Sequence, residues 1–387
     1  MKIDKRNPAH WCYLVRFGLN VVLALCLRPF VDRPVRPLVL LYGHKLTGNL
    51  KALYDALRAQ HEAHCDVRFL TMDRAYHATL LAAGEAVVLA STAQSVSALA
   101  RASVIVSDHG LHVMSWLPRL TSIRFVDVWH GVPYKGWDAS DFRALHGYDE
   151  IWVSSALIRR SYIERFGFRP AQVHVTGYGR TDRLVRQTED AAALRQSYGL
   201  QASPTKIVLC APTWHHDGAG PRDLPFGVPV DRFLGAIGEV CHTHGAQCVF
   251  RAHLNSRLSV TGRPGVIVQL PQERFPDTEG LLLISDVLIC DWSSIAFDYL
   301  VLNRPTIFLD IPAPFPKGFT LGPEYRFGAL AATLDTLCTQ LDAYLGDPES
   351  YLRDHETQIA VARAAAFDDY ADGHATDRYI DRLRGLL

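Results

Sequence analysis

The chain has 387 residues, a length that suits two domains, each able to bury its own apolar core. Apolar residues make up 48% of the sequence and charged residues 21%, a globular balance that leaves little room for a long disordered region. Lys plus Arg and Asp plus Glu each total 40, so no overall positive field attracts nucleic acid, and we expect no nucleic-acid partner.

The eight cysteines are scattered, form no Cys-x-x-Cys pair, and in several cases lie within apolar, strand-like runs. This distribution is typical of buried free thiols in a reducing compartment. It predicts a cytoplasmic protein without a disulfide framework.

The N-terminal segment, residues 1–36, is predicted to associate with a membrane surface. Trp11 to Phe30 is apolar with basic flanks, but its uninterrupted apolar part, Phe17 to Leu27, is shorter than the roughly 20 residues of a spanning helix. We therefore expect an interfacial helix, peripheral to the inner face of the cell membrane. The aromatic residues expected at the headgroup level are Trp11, Tyr13, Phe17 and Phe30. The alternative is a helix that only packs on the first domain.

Residues 37–198 alternate short β-rich runs with amphipathic helical segments, the pattern of a parallel sheet with crossover helices. The predicted strands are Pro37 to Tyr42, Val67 to Thr71, Ala86 to Ala90, Ser103 to Ser107, Ile123 to Val128, Glu150 to Ser154 and Val173 to Thr176. The pattern predicts one Rossmann-like lobe, which we expect on the acceptor side.

A second series of strands occupies residues 199–345. The predicted strands are Lys206 to Ala211, Gln247 to Arg251, Val266 to Gln269, Val287 to Cys290 and Thr306 to Leu309. The two series predict an α/β fold of GT-B type, with two Rossmann-like lobes whose parallel sheets face each other across a cleft. Residues 346–387 are expected to form helices that return to the first lobe.

Ligands of open α/β sheets bind beyond the carboxyl ends of the strands, so residues that follow strands are candidates for chemistry. In Val128 to Lys135 an apolar strand leads into an imidazole and then a Gly/Pro turn. A neutral His130 near pH 7 could take the proton from an attacking hydroxyl. The structural alternative is a packed, hydrogen-bonded core histidine.

Ser285 to Tyr299 is a buried strand that ends in Asp291 and is followed by two serines at the start of a helix. Backbone N–H groups, two hydroxyls and the positive end of the helix would together suit a diphosphate. The alternative is that Ser293 only caps the helix.

Two further strand ends carry polar residues. Phe250 to His253 places a guanidinium and an imidazole where they could stabilise charge on a phosphate leaving group. Ala211 to Asp217 contains two adjacent histidines and an aspartate, but adjacent residues of an extended segment face opposite ways. Since no third ligand is evident, we expect no metal site.

Five motifs, in this order along the chain, are similar to those of the CDP-glycerol glycerophosphotransferase family of teichoic acid primases and polymerases. They are Gly43 with Asn49 and Ala52 to Tyr54, Trp129 to Lys135, Gly177 to Asp182, Ser285 to Tyr299 continuing into Arg304-Pro305, and Asp372 to Arg378. The second and fourth are long enough to be specific.

The resemblance implies transfer of a glycerol- or ribitol-phosphate from a CDP-linked donor to a hydroxyl of a lipid-linked or glycan acceptor, with release of CMP. His130 would act as base or acceptor orienter, and His253 would stabilise the diphosphate. The implied donor contacts are Asp291, Ser293, Ser294, Arg251 and Thr213. The implied acceptor or phosphate contacts are Lys135, Gly131, Asn49 and Arg180. No cofactor follows from the resemblance, and it leaves open whether a divalent cation assists.

Two positions depart from the family pattern: His215 replaces an arginine after Pro-Thr-Trp, and Leu254 replaces a proline after His253. The identity of the polyol therefore stays open. The alternatives are a GT-B glycosyltransferase that uses a nucleotide sugar, with Glu324 on a ribose or sugar, a sugar-nucleotide epimerase, and a non-catalytic scaffold.

Overall fold

The computed structural model describes residues 8–32, 35–59, 65–111, 114–201, 206–212, 216–217, 220–221, 225–251 and 265–387. The chain forms two compact units. The first unit comprises residues 1–130, 138–182 and 370–387, and the second comprises residues 131–137 and 183–369. The chain therefore enters the second unit for the first time directly after His130.

Within the described residues, the first unit contains a seven-stranded parallel sheet in the order β3-β2-β1-β4-β5-β6-β7. Its strands are β1 (Leu38–Tyr42), β2 (Asp66–Thr71), β3 (Val87–Leu89), β4 (Ala102–Ser107), β5 (Arg124–Asp127), β6 (Glu150–Val153) and β7 (Val173–Val175). Both ends of each strand lie within one residue of the predicted ends. Between β1 and β4 the strand order reverses its direction, which is where ligands of such sheets commonly bind.

Helices cover this sheet and close its core. They are α1 (Pro8–Leu27), α2 (Gly48–Ala59), α3 (Arg74–Ala82), α4 (Ala93–Arg101), α5 (Ala156–Glu164), α6 (Gly179–Arg186), which continues into the second unit, and the last helix, α13 (Ala375–Leu386). Helix α2 buries Leu50, Leu53 and Leu57 at helical spacing, and α13 packs on it through Tyr379 and Leu383.

Helix α1 packs on α4, and its two faces differ. Phe17, Val21 and Ala24 are buried, and the Asn20 side chain donates hydrogen bonds to the carbonyls of Ala90 (3.3 Å) and Thr92 (3.1 Å). The burial of Phe17 corrects the prediction that this ring lies at the headgroup level. The stretch His10–Phe30, 21 residues with a mean hydropathy of 1.5, is long and apolar enough to cross a membrane by length and composition alone.

The second unit contains, among its described residues, a six-stranded parallel sheet in the order β12-β11-β8-β13-β14-β15. The strands of this unit are β8 (Ile207–Cys210), β9 (His216–Asp217) and β10 (Gly220–Pro221), which pair with each other, β11 (Gln247–Phe250), β12 (Ile267–Gln269), β13 (Val287–Cys290), β14 (Thr306–Leu309) and β15 (Ala329–Ala331). All five predicted strands are present, and their ends lie within one residue of the predicted ends. Strand β15 was not predicted, because Ala-Leu-Ala has neither β-branched nor aromatic residues.

The helices of the second unit are α7 (Ala191–Ser197), α8 (Val230–Thr243), α9 (Thr278–Ile284), α10 (Ile295–Leu300), α11 (Leu334–Gly346) and α12 (Pro348–Phe367). Helix α12 packs against α10 and α11, burying Tyr351, Ala362 and Ala366. It lies in the second unit, whereas the sequence analysis grouped it with α13 in a returning tail; α7 likewise lies in the second unit.

Candidate functional site

Three imidazoles meet at the carboxyl edge of the first sheet. His44 follows β1, His109 follows β4 and His130 follows β5, three adjacent strands of the sheet. The rings of His109 and His130 stack with centroids 4.1 Å apart and an angle of 9° between their planes. The ring of His44 meets His109 edge-on, with centroids 5.2 Å apart. The fold thus brings together residues far apart in sequence at the reversal point of the strand order.

The turn that carries His130 is held by buried hydrogen bonds. Trp129 has a φ of 46°, a left-handed conformation that is rare for a bulky residue, and its N–H donates to the Asp127 carboxylate at 2.9 Å. The Asn49 amide donates to the carbonyls of Val128 (2.9 Å) and Trp129 (3.0 Å). These bonds fix the backbone from which the His130 side chain projects.

Arg180, at the start of α6, reaches the same turn. Its backbone N–H donates to the Asn49 side-chain oxygen at 3.1 Å, and its guanidinium donates to the His130 carbonyl at 2.8 Å. Asn49 is 1% exposed, so its amide supports the turn from within. The structure therefore brings three predicted site residues, Asn49, His130 and Arg180, to one place.

The electrostatic surroundings keep His130 neutral. Desolvation by the surrounding protein, followed by the positive charge of His109, lowers the pKa of His130 to about 4. The residue is nevertheless exposed to solvent. Its Nδ1 lies 3.0 Å from the Asp108 carbonyl, which only accepts, so Nδ1 carries the proton and Nε2 carries the lone pair.

Two acidic residues near His130 were missed by the sequence analysis. Asp108 is buried and its carboxylate lies 2.8 Å from His109 Nδ1. Asp127 is fully buried and also accepts from the Ser107 hydroxyl at 2.9 Å; burial raises the pKa of Asp127 to about 7. For Asp108 the available signal was the polar pair Asp108-His109, directly after the predicted strand Ser103 to Ser107.

In the second unit, β13 ends at the predicted diphosphate site. Asp291 is buried, and Ser293 and Ser294 are partly exposed just before α10. The Ser294 side chain makes no capping hydrogen bond with a described residue. The Trp292 indole donates to the Ile311 carbonyl at 2.9 Å, and the Arg326 guanidinium lies 3.6 Å from the centroid of the Trp292 ring. Arg326 was not singled out from the sequence.

Arg251 lies at the end of β11 in the same sheet, two strands from β13. It is 5% exposed and donates to the Thr278 hydroxyl at 3.0 Å, and its other terminal nitrogen has no hydrogen-bond partner among the described residues. Burial lowers the pKa of Arg251 from its ordinary value. Thr213, His215 and His253 lie outside the described residues, as do the side chains of His216 and Asp217.

Two predicted acceptor contacts, Gly131 and Lys135, belong to the segment 131–137 of the second unit. The Lys135 ammonium lies 4.1 Å from the centroid of the Trp137 ring, and Gly131 has a φ of 140°. The segment is held by backbone hydrogen bonds, including one from Gly136 to the Gly318 carbonyl at 2.7 Å. Among the described residues, no group of three or more His, Cys, Asp or Glu side chains could hold a metal ion.

The model of the family "CDP-Glycerol:Poly(glycerophosphate) glycerophosphotransferase" matches residues 26–384, nearly the whole chain. The chain belongs to this family. It is the family predicted from the five motifs.

Curated relatives of this chain include teichoic acid polymerases. It is 25% identical, over 69% of its length, to the teichoic acid ribitol-phosphate polymerases TarK and TarL of Staphylococcus aureus (strain NCTC 8325 / PS 47), of which it covers 54% and 50%. It is 20% identical to the teichoic acid glycerol-phosphate primase of Bacillus subtilis (strain 168), over 76% of each chain. The chain thus spans about half the length of the ribitol-phosphate polymerases that it matches.

Among solved structures, the wall teichoic acid polymerase TagF is similar to this family member with a TM-score of 0.74 and 19% identity, over 98% of each chain. At this identity the likeness concerns the fold. It confirms the predicted class, an α/β protein of GT-B type with two parallel sheets.

Proposed function

We propose that this chain transfers a glycerol- or ribitol-phosphate from a CDP-linked donor to a hydroxyl of a membrane-linked acceptor and releases CMP, in the synthesis of a cell-surface polymer. Membership of the glycerophosphotransferase family supports the reaction type. Relatives named as ribitol-phosphate and glycerol-phosphate polymerases, and a TagF structure soaked with CDPG, support the donor class. The observation that carries the proposal is an accessible, neutral His130 whose Nε2 lone pair is available at the carboxyl edge of a sheet.

In the proposed step, His130 Nε2 accepts the proton of the acceptor hydroxyl. The hydroxyl oxygen forms a bond to the phosphorus that carries the polyol, and the bond from that phosphorus to the bridging oxygen of the diphosphate breaks. The electron pair leaves on the phosphate oxygen of CMP. Neither oxidation nor reduction occurs, and the proton on His130 is afterwards lost to water.

A pKa of about 4 makes His130 a weak base in the free protein. A phosphate anion bound beside the ring would favour the imidazolium and raise this pKa, so the base would strengthen when substrate is present. Desolvation and the charge of His109, which lower the pKa of His130, outweigh Asp108, which raises it, in the protein without substrate.

Phosphoryl transfer depends mainly on positioning and on stabilisation of charge, so hydroxyls, cations and backbone N–H groups suffice for donor binding. We assign the donor phosphates to Ser293 and Ser294, with Arg251, at the end of a strand of the same sheet, as a cation and Asp291 as a support of the turn. His253 and Thr213 keep the donor roles implied by the family motifs. Asn49 positions the His130 turn, and Lys135 and Gly131 are assigned to acceptor phosphates.

The acceptor is assigned to the inner face of the cytoplasmic membrane because α1 has an exposed apolar side. Trp11, Val15, Leu19 and Phe30 are 50%, 60%, 64% and 85% exposed, and residues 8–31 contain no acidic side chain. An exposed apolar face beside Arg16, in a helix without carboxylates, suits the surface of an anionic bilayer. The hydrogen bonds from Asn20 to the first unit favour a helix that lies on the membrane.

The test is CMP release from CDP-glycerol and from CDP-ribitol, each with and without a membrane extract as acceptor. Acceptor-dependent release from one donor supports the proposal and identifies the polyol. No release from either donor overturns the assignment and favours a nucleotide-sugar transferase on the same fold.

A further inference from the structure

His109 is an accessible imidazole with no role in the function proposed above. Its side chain is 35% exposed and lies between His44 and His130 at the ends of three adjacent strands. Asp108 contacts both His109 and His130. Its carboxylate lies 2.8 Å from His109 Nδ1, and its backbone carbonyl accepts from His130 Nδ1 at 3.0 Å. Asp108 therefore contacts both imidazoles at Nδ1, His109 by an ion-pair contact of its carboxylate and His130 by a hydrogen bond of its carbonyl.

The fold makes room for the Asp108 carboxylate. A Cβ atom on Gly43 would lie 2.7 Å from Asp108 Oδ1, closer than real Cβ contacts, so a side chain at residue 43 would displace the carboxylate. Asp108 is 5% exposed, and a buried carboxylate needs a cation or hydrogen-bond donors to remain charged. His109 is the charged partner that the structure supplies.

The two stacked rings are poorly suited to carry two charges. Parallel imidazolium rings with centroids 4.1 Å apart would repel each other by about 1 kcal/mol in bulk water and more inside a protein. The groups that face them decide which ring takes the proton. His109 faces the carboxylates of Asp108 and Asp127, whereas His130 faces the cations His109 and Arg180 and the carboxylate of Asp108.

The directions of the pKa shifts agree with this geometry. Burial acts to lower the pKa of His109, but the charge and hydrogen bond of Asp108 outweigh it, so the pKa of His109 is raised from its ordinary value. Desolvation and then the charge of His109 lower the pKa of His130. The pKa values of the two rings are therefore shifted in opposite directions.

We propose that His109 is a positioning residue for His130: the stacked pair binds one proton, Asp108 holds that proton on His109, and His130 therefore keeps its Nε2 lone pair as the pH falls. The catalytic consequence of this assignment rests on the proposed function. The division of the proton between the rings is a property of the protein without substrate, so it can be measured independently of any activity.

The test is an NMR titration of the full chain labelled with ¹³C at histidine, in the parent, His109→Gln and His109→Phe proteins. His109→Phe keeps an aromatic ring in the stack and removes the charge. In the parent we expect His109 to bind its proton at a higher pH than His130. In both variants the pKa of His130 should rise by about 1, because the neighbouring cation is gone.

Two further variants make the measurement specific. Asp108→Asn should lower the pKa of His109, and His77→Gln on α3 should leave the titration of His130 unchanged. If the pKa of His130 is the same in the parent and both His109 variants, or if His109 binds its proton at a lower pH than His130, the proposal is wrong.

Where CMP release is active, the acid limb of kcat/KM should move to higher pH in His109→Phe by the same amount. Absence of CMP release would count against the proposed function and leave the titration to decide the role of His109.

Discussion

The side-chain oxygen of Asn49 accepts a hydrogen bond from the backbone N–H of Arg180 at 3.1 Å, while the Asn49 amide nitrogen donates to the carbonyls of Val128 and Trp129. One buried amide therefore connects α2, the start of α6 and the turn that carries His130. Each of these bonds pairs a backbone group with the buried amide, so the three segments are held together by one side chain.

Asn49→Ala should destabilise the first unit and weaken catalysis together. Two carbonyls and one N–H lose their partner, at a cost of about 2 kcal/mol or more, which corresponds to a fall of roughly 5 °C in the thermal midpoint. Lys51→Ala on the same helix, which removes two ion pairs of a partly exposed side chain and a long contact with the Tyr54 ring, should change the midpoint far less. Equal midpoints for the Asn49→Ala and parent proteins would show that the amide does not hold the turn.

The buried carboxyl of Asp127 should make the folded protein less stable as the pH rises. Burial raises the pKa of this carboxyl to about 7, above its value in the unfolded chain, so its favourable contribution is complete below about pH 4 and is lost as the pH rises through 7. From pH 6 to pH 8 the folded protein should lose about 1 kcal/mol of stability through this group. Asp127→Asn should remove that part of the pH dependence, measured by urea denaturation at both pH values. A dependence identical to that of the parent would contradict the assignment.

Ser293 and Ser294 should matter for the donor. Loss of one hydroxyl that binds a phosphate should lower kcat/KM for the CDP-linked donor about tenfold, since a hydrogen bond to a charged group contributes about 1.5 kcal/mol or more. The matched control is Thr339→Ala on α11, which removes an exposed hydroxyl from the same unit. Unchanged donor kinetics in Ser293→Ala and Ser294→Ala would remove these residues from the donor site.

The exposed side of α1 should bind anionic vesicles. The double variant Val15→Glu/Leu19→Glu places two charges on that side and should reduce the vesicle-bound fraction in flotation at least about tenfold. Val361→Glu on α12 provides a control, since Val361 is also an exposed apolar residue, at 49%. If the α1 variant floats as well as the control, the membrane contact lies elsewhere.

Much of the fold was predictable because its signals are local. Strands such as β8 and β13 are short apolar runs bounded by polar turns, and their positions follow from the sequence. Strand β15 lacked such a signal, and the role of Phe17 could not be predicted, because which side of an apolar helix is buried depends on its partner, α4.

The candidate site was predictable where one motif contains the residues. His130, Ser293 and Ser294 follow strands directly, in long motifs. Asp108 and His109 follow a strand as well, but their significance depends on the stacking of His109 on a ring 21 positions later, which is a consequence of the sheet order. The burial of Asp127 likewise depends on the layers packed around β5.

The most direct test of polyol-phosphate transfer with His130 as its base follows both products of the reaction. The parent, His130→Gln and His77→Gln proteins are incubated with CDP-polyol that carries ³²P in the polyol phosphate, together with the membrane acceptor. We predict that the parent and His77→Gln proteins transfer label to the acceptor and release one CMP for each labelled phosphate, whereas His130→Gln does neither at a measurable rate. Release of CMP without labelled acceptor, or full transfer by His130→Gln, would contradict polyol-phosphate transfer with His130 as its base.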